Sequence, residues 1–62
     1  MKPYICKKMD WEYSVVDVFL VIDDVEYNIK GFDEDDWQES ENFAESLAKS
    51  LNILYIGDRT DS

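Results

Sequence analysis

Four consecutive carboxylates, Asp33-Glu34-Asp35-Asp36, make the densest run of oxygen ligands in the chain, and Glu39, Glu41 and Glu45 follow close behind. Carboxylates at this density admit three chemistries: acid–base catalysis, cation binding, or attraction of a basic surface. Acid–base work on a sugar needs two of them about 5–10 Å apart across a cleft. Sixty-two residues leave little room for such a cleft. The chain also has no histidine, no Cys/His pair, no glycine-rich phosphate loop and no nucleophile elbow. No catalytic residue, and so no enzyme, is expected, and no cofactor. Calcium is tested by an EF-hand register starting at Asp33. That register wants Asp or Asn at its fifth position, Gly at its sixth and Glu at its twelfth. Trp37, Gln38 and Ala44 stand there, so no metal site is expected.

Charge as such remains. Fifteen acids face six bases, a formal −9. The distribution is uneven. Residues 1–9 carry Lys2, Lys7 and Lys8 and no acid, whereas residues 10–46 carry thirteen acids against Lys30 alone, a net −12. Helix capping uses one or two acids, and colloidal stability needs a net charge of only a few units. The excess works against the fold through self-repulsion, which points to a function that uses the charge. A field of this sign repels nucleic acid and anionic lipid and speeds encounter with cationic surfaces. The expected partner is a basic protein surface, with no direct nucleic-acid binding and no membrane contact. The candidate contact residues are Asp33, Glu34, Asp35, Asp36, Glu39, Glu41 and Glu45, then Asp23, Asp24 and Glu26, then Asp10 and Glu12.

Spacing suggests what these acids imitate. Helix residues four apart lie roughly 6 Å from each other, and strand residues two apart about 6.6 Å. Each strand of B-DNA carries a phosphate per about 3.4 Å of rise, so an array of surface carboxylates can approximate a phosphate track. Trp11, Tyr13, Tyr27 and Trp37 lie among the acids. They are expected mostly at the core or its edge, with one or two available as interface anchors.

The elements that must position these residues are few. Tyr13 to Ile22 reads as a strand: it is rich in β-branched and aromatic residues and stops at Asp23-Asp24. Its face of Val16, Val18, Leu20 and Ile22 is apolar and belongs to the core. Its face of Val15, Asp17, Phe19 and Val21 is mixed. From Val25 to Phe32, Val25, Tyr27 and Ile29 alternate with Glu26, Asn28 and Lys30, the pattern of a half-buried antiparallel strand. Asp23-Asp24 is then a hairpin tip. Residues 3–8 offer an edge strand whose Lys7-Lys8 would discourage aggregation. Phe43, Ala44, Leu47, Ala48 and Leu51 mark the apolar stripe of a helix, with Gln38, Glu41, Glu45, Lys49 and Asn52 opposite. Asp33 can cap that helix, with Phe32 and Trp37 as a hydrophobic staple. Asp36 can cap it instead, with Glu39 at the third helical position. Ile53 to Ile56 reads as a last strand, and residues 59–62 as a frayed tail.

The expected fold class is therefore α+β: a small antiparallel β-sheet of three to four strands with one α-helix packed on one face, all in a single acidic domain spanning residues 1–62. Cys6 stands alone, so no intramolecular disulfide forms, and a small buried hydrophobe is its expected role. The absence of a disulfide framework and of a run of about 20 apolar residues sets the expected location in the cytoplasm.

In size, acidity, lack of catalytic residues and element order the chain resembles the small acidic inhibitors made by phages and mobile elements, among them anti-CRISPR proteins and other DNA mimics. The resemblance covers the whole chain and rests on no motif. A monomer or weak dimer is expected, acting in a host bacterial cytoplasm if phage-encoded. Such an inhibitor would occupy the DNA- or PAM-binding groove of a CRISPR effector or another nuclease. Two other readings stay open: a barstar-like or immunity-type inhibitor of a toxic nuclease, and a structural or regulatory phage protein whose acidity is incidental.

Overall fold

The computed structural model describes residues 2–60. Strand β1 runs Tyr4–Asp10, β2 Val15–Ile22 and β3 Val25–Asp33. A 3-10 turn over Glu34–Asp36 leads into α1, Trp37–Leu51, and β4 closes the chain at Leu54–Asp58. The strands form one sheet in the order β3-β2-β1-β4, with the helix packed against it.

The fold is α+β with one helix, as the patterning predicts, but the sheet is mixed. β1 pairs antiparallel with β2, and β2 antiparallel with β3, whereas β4 pairs parallel with β1. The direction follows from the connections. β3 ends beside the start of β2, and α1 carries the chain back along the sheet. At its end Asn52 adopts a left-handed conformation, φ 56°, and its N–H bonds to the Ala48 and Lys49 carbonyls. That cap turns the chain within two residues, so β4 sets off in the direction of β1. The tail is held at least as far as Thr60. Arg59 N–H donates to the Lys7 carbonyl at 2.8 Å, and Met9 N–H donates to Thr60 Oγ1 at 3.0 Å. The expected fraying of Arg59 and Thr60 is corrected by these two bonds. Asp61 and Ser62 lie outside the described residues.

One face of the sheet meets the helix. Ile5, Val18, Ala44 and Ala48 form the buried centre, with Leu20, Phe32, Phe43, Leu47, Ile53 and Tyr55 packed round it. Val16 is fully buried, but Ile22, expected in this core, sits at the far end of β2 and is exposed. On the other face Cys6 and Val21 are buried, and Val15, Asp17 and Phe19 partly so. Burial raises the Cys6 thiol pKa above its usual value. Lys8 bridges this face, paired with Glu26 and 5.6 Å from the centre of the Phe19 ring.

Two strand expectations are corrected. β1 is an inner strand, not an edge, because β4 pairs on its far side. The apolar face of β3 is less buried than expected: Val25, Tyr27 and Ile29 keep 49%, 51% and 43% of their area exposed, and Phe32 is the most covered of the nine residues. The register shifts between Val18 and Phe19, which pair with Lys30 and Asn28 and leave Ile29 as an extra residue. This bulge reverses the alternation. Lys30 falls opposite Val18 on the helix side, 4.9 Å from the Phe32 ring centre, where a simple strand would place it outward. The hairpin tip at Asp23-Asp24 stands as read. Both residues have positive φ, 51° and 67°, as a two-residue turn matched to the strand twist requires.

Candidate acidic interface

The acids sort into three environments, and the fold decides which are available. The first is internal. Lys7 is 1% exposed, on the face of β1 that meets the helix. Its ammonium lies 2.7 Å from Glu41 Oε1 and 3.3 Å from Ser40 Oγ, and 3.6 Å from the centre of the Trp37 ring. Tyr55 Oη donates to the same Glu41 oxygen at 2.7 Å, and Ser40 Oγ donates back to the Trp37 carbonyl at 2.6 Å. No buried side-chain polar atom among the described residues lacks a hydrogen-bond partner. The hydrogen bond from Lys7 holds the Glu41 carboxyl below the usual carboxylate range, outweighing the opposing effect of burial. Burial, then the bond to Glu41, pushes the Tyr55 hydroxyl far above its usual pKa.

Glu41 was expected on the solvent side of the helix as a contact residue. Its side chain turns inward because an ammonium buried on β1 must be neutralised, and Glu41 is within reach. Lys7 was expected at an exposed edge and is the largest fully buried side chain. The available signal was its phase, since Lys7 shares the face of Ile5 in any extended strand.

The second environment is one end of the molecule. Asp10, Val15 and Asp33 are matched across three strands, which places the two acids about 10 Å apart. Glu34 N–H donates to the Ser14 carbonyl at 3.1 Å and ties the β1–β2 turn to the 3-10 turn. Asp10, Glu12, Asp33, Glu34, Asp35 and Asp36 thus share one pole, and residues 10–14 and 33–37 contain no basic residue. Local structure uses two of the six. Asp10 Oδ1 accepts from the Glu12 and Tyr13 amides, and Asp33 Oδ1 accepts from the Asp35 amide at 3.1 Å. Asp33 therefore caps the 3-10 turn, while Asp36 precedes α1 without a side-chain cap bond. Glu12, Glu34 and Asp35 are exposed. Trp11 and Tyr13 stand beside them, 71% and 70% exposed, so the expected place at the core edge is corrected. Tyr27 is about half-exposed, whereas Trp37, with its ring against the buried Lys7 ammonium, keeps the expected place at the core edge. Phe32 lies 5.6 Å from Phe43, while Trp37 faces Lys7.

The remaining candidates scatter. Asp23 and Asp24 lie at the opposite end of the sheet, Glu26 is paired with Lys8, and Glu39 and Glu45 are exposed along the helix. A shallow depression lined by Lys2, Pro3, Tyr4, Asn52, Ile53 and Leu54 contains no acid. Among the described residues no group of three carboxylate or thiol side chains is placed to hold a metal ion, and no helix is long and apolar enough to cross a membrane. Comparison with protein-family models, curated proteins and solved structures finds no match to this chain.

Proposed function

We propose that this protein is an acidic inhibitor. It docks its carboxylate pole into a basic, nucleic-acid-binding groove of a partner, such as the DNA- or PAM-binding channel of a nuclease complex. The observation that carries this reading is the pole itself, where segments 10–14 and 33–37 bring together six carboxylates and two exposed aromatic rings and contribute no basic residue. Fold stability accounts for Asp10 and Asp33, which make local hydrogen bonds. Glu12, Glu34, Asp35 and Asp36 make no such bond; the helical N-terminus offsets part of the charge at 34–36, and the remainder is mutual repulsion that disfavours the compact state. Trp11 and Tyr13 are of the residue types that anchor interfaces, and their exposure in a free monomer is what an anchor requires.

The test is competition. The tagged protein is used to capture partners from a bacterial lysate, and the captured complex is challenged with duplex DNA. Displacement by DNA, and loss of capture by a variant carrying Glu12→Gln, Glu34→Gln, Asp35→Asn and Asp36→Asn, are expected. The slower association of that variant should depend less on salt. A captured partner that DNA leaves bound would contradict the reading, as would a direct mobility shift of DNA by the protein alone.

A further inference from the structure

The outer edge of β3 is the largest piece of unused binding capacity in the fold. β3 ends the sheet order, and no described strand pairs with its outward side. Its outward backbone groups take part in no hydrogen bond among the described residues. Val25, Tyr27 and Ile29 are exposed along it, and it contains no proline. Long apolar edges of this kind recruit another strand, and most proteins blunt them. Here the blunting is partial. The bulge at Ile29 interrupts the edge, but Val25–Asn28 is regular, and the inward lysine, Lys30, lies beyond it.

The ends of this edge are chemically alike. Asp23 and Asp24 precede β3, and Asp33 to Asp36 follow it, about 30 Å away along the strand. A second copy laid antiparallel would set each acidic end against the other acidic end. Laid parallel, it would set like end on like end. Both arrangements add repulsion between chains of net −9. An extended segment with Lys or Arg at each end meets opposite charge in either direction, and its alternate apolar residues meet Val25 and Tyr27. We infer that β3 is a docking edge for an extended basic segment of a protein partner, added to the sheet as a fifth strand. This rests on the basic-partner reading and specifies how the contact is made: by main-chain hydrogen bonds for affinity and terminal charges for selection.

The experiment titrates the isotope-labelled protein with a synthetic peptide, Lys-Arg-Thr-Val-Thr-Val-Thr-Val-Thr-Arg-Lys, and with the same peptide N-methylated at every Thr and Val. The two carry identical charge, but the second has no main-chain N–H to donate from either edge of its central segment. The expected result is at least tenfold tighter binding of the unmodified peptide, with new hydrogen-exchange protection of amides within Val25–Asn28. Equal binding of both peptides, with shifts confined to the two acidic ends and no protection in β3, would overturn the docking edge while leaving the basic-partner reading standing. No binding of either peptide counts against both. Dimerisation of the free protein through β3, seen by sedimentation and cross-chain nuclear Overhauser contacts, would assign the edge to a second copy and overturn the basic occupant.

Discussion

Glu41 and the acids of the pole are the same functional groups under opposite conditions. Glu41 sits against an ammonium that water barely reaches and takes a second hydrogen bond from Tyr55. Glu12, Glu34 and Asp35 stand in solvent among other acids. In the interior the charge is organised by a partner and specifies how helix meets sheet. At the pole it is surplus to the fold. Formal charge alone therefore says little about an acidic chain. What matters is which carboxylates the fold has already used, because only the rest are available to a partner.

The largest effect should come from breaking the internal pair. Glu41→Gln leaves the Lys7 ammonium buried without a counter-charge, which costs about 3–5 kcal/mol in fully buried pairs. The Glu41 side chain keeps 30% of its area exposed, so about 3 kcal/mol is expected in urea unfolding. Adding Lys7→Met should restore most of that loss. Failure of the double variant to recover would mean the pair matters for more than its charge balance.

Next comes Tyr55→Phe, which removes the hydroxyl from Glu41 and should cost about 1–2 kcal/mol. It also separates the pH limbs. Tyr55 has a raised folded pKa, so its contribution is complete below the usual 10.0 and is lost as pH rises toward the folded value. Glu41 has a lowered one, so its contribution is complete above the usual 4.5 and is lost as pH falls through the folded value. Unfolding measured against pH should thus show an alkaline decline that Tyr55→Phe reduces and an acid decline that Glu41→Gln reduces. An unchanged alkaline limb in Tyr55→Phe would remove Tyr55 from the network.

Lys7→Met alone should be milder, within about 1 kcal/mol, because Met has a similar length and Glu41 keeps Tyr55 and some access to water. A loss as large as that of Glu41→Gln would make the ammonium itself a source of stability. Smaller still, Asp24→Gly at the hairpin tip should raise stability by about 0.5 kcal/mol, since φ is 67° there and glycine adopts it without strain. A thermal melt showing a loss would mean the Asp24 side chain holds the turn.

The sequence patterns disclosed the hairpin, the helix and most of the stripe that seats it, because period-two and helical spacing act locally; Leu51, at the helix end, is exposed instead. They did not disclose the mixed sheet, since β4 finds its place beside β1 only after the helix has returned the chain. Nor did they show Lys7 inside: a lysine in a strand is ordinarily an edge or solvent residue, and only the helix overhead makes it internal. The alternation of Val25, Tyr27 and Ile29 misled for a related reason. β3 is the outermost strand of the sheet, and the bulge at Ile29 changes its phase. Of the candidate site, the run at 33–36 was legible. Its union with Asp10 and Glu12, and the exposure of Trp11 and Tyr13, depend on three strands meeting at one end.

The most direct measurement compares urea unfolding of the parent, of Glu41→Gln, and of the pole variant carrying Glu12→Gln, Glu34→Gln, Asp35→Asn and Asp36→Asn, each at low and high salt. If the pole is surplus to the fold, the pole variant equals or exceeds the parent at low salt, and the gain disappears at high salt as screening shortens the range of repulsion. Glu41→Gln should lose stability at both. A pole variant that loses more than about 1 kcal/mol would contradict the account, because that is what a used hydrogen bond or cap is worth.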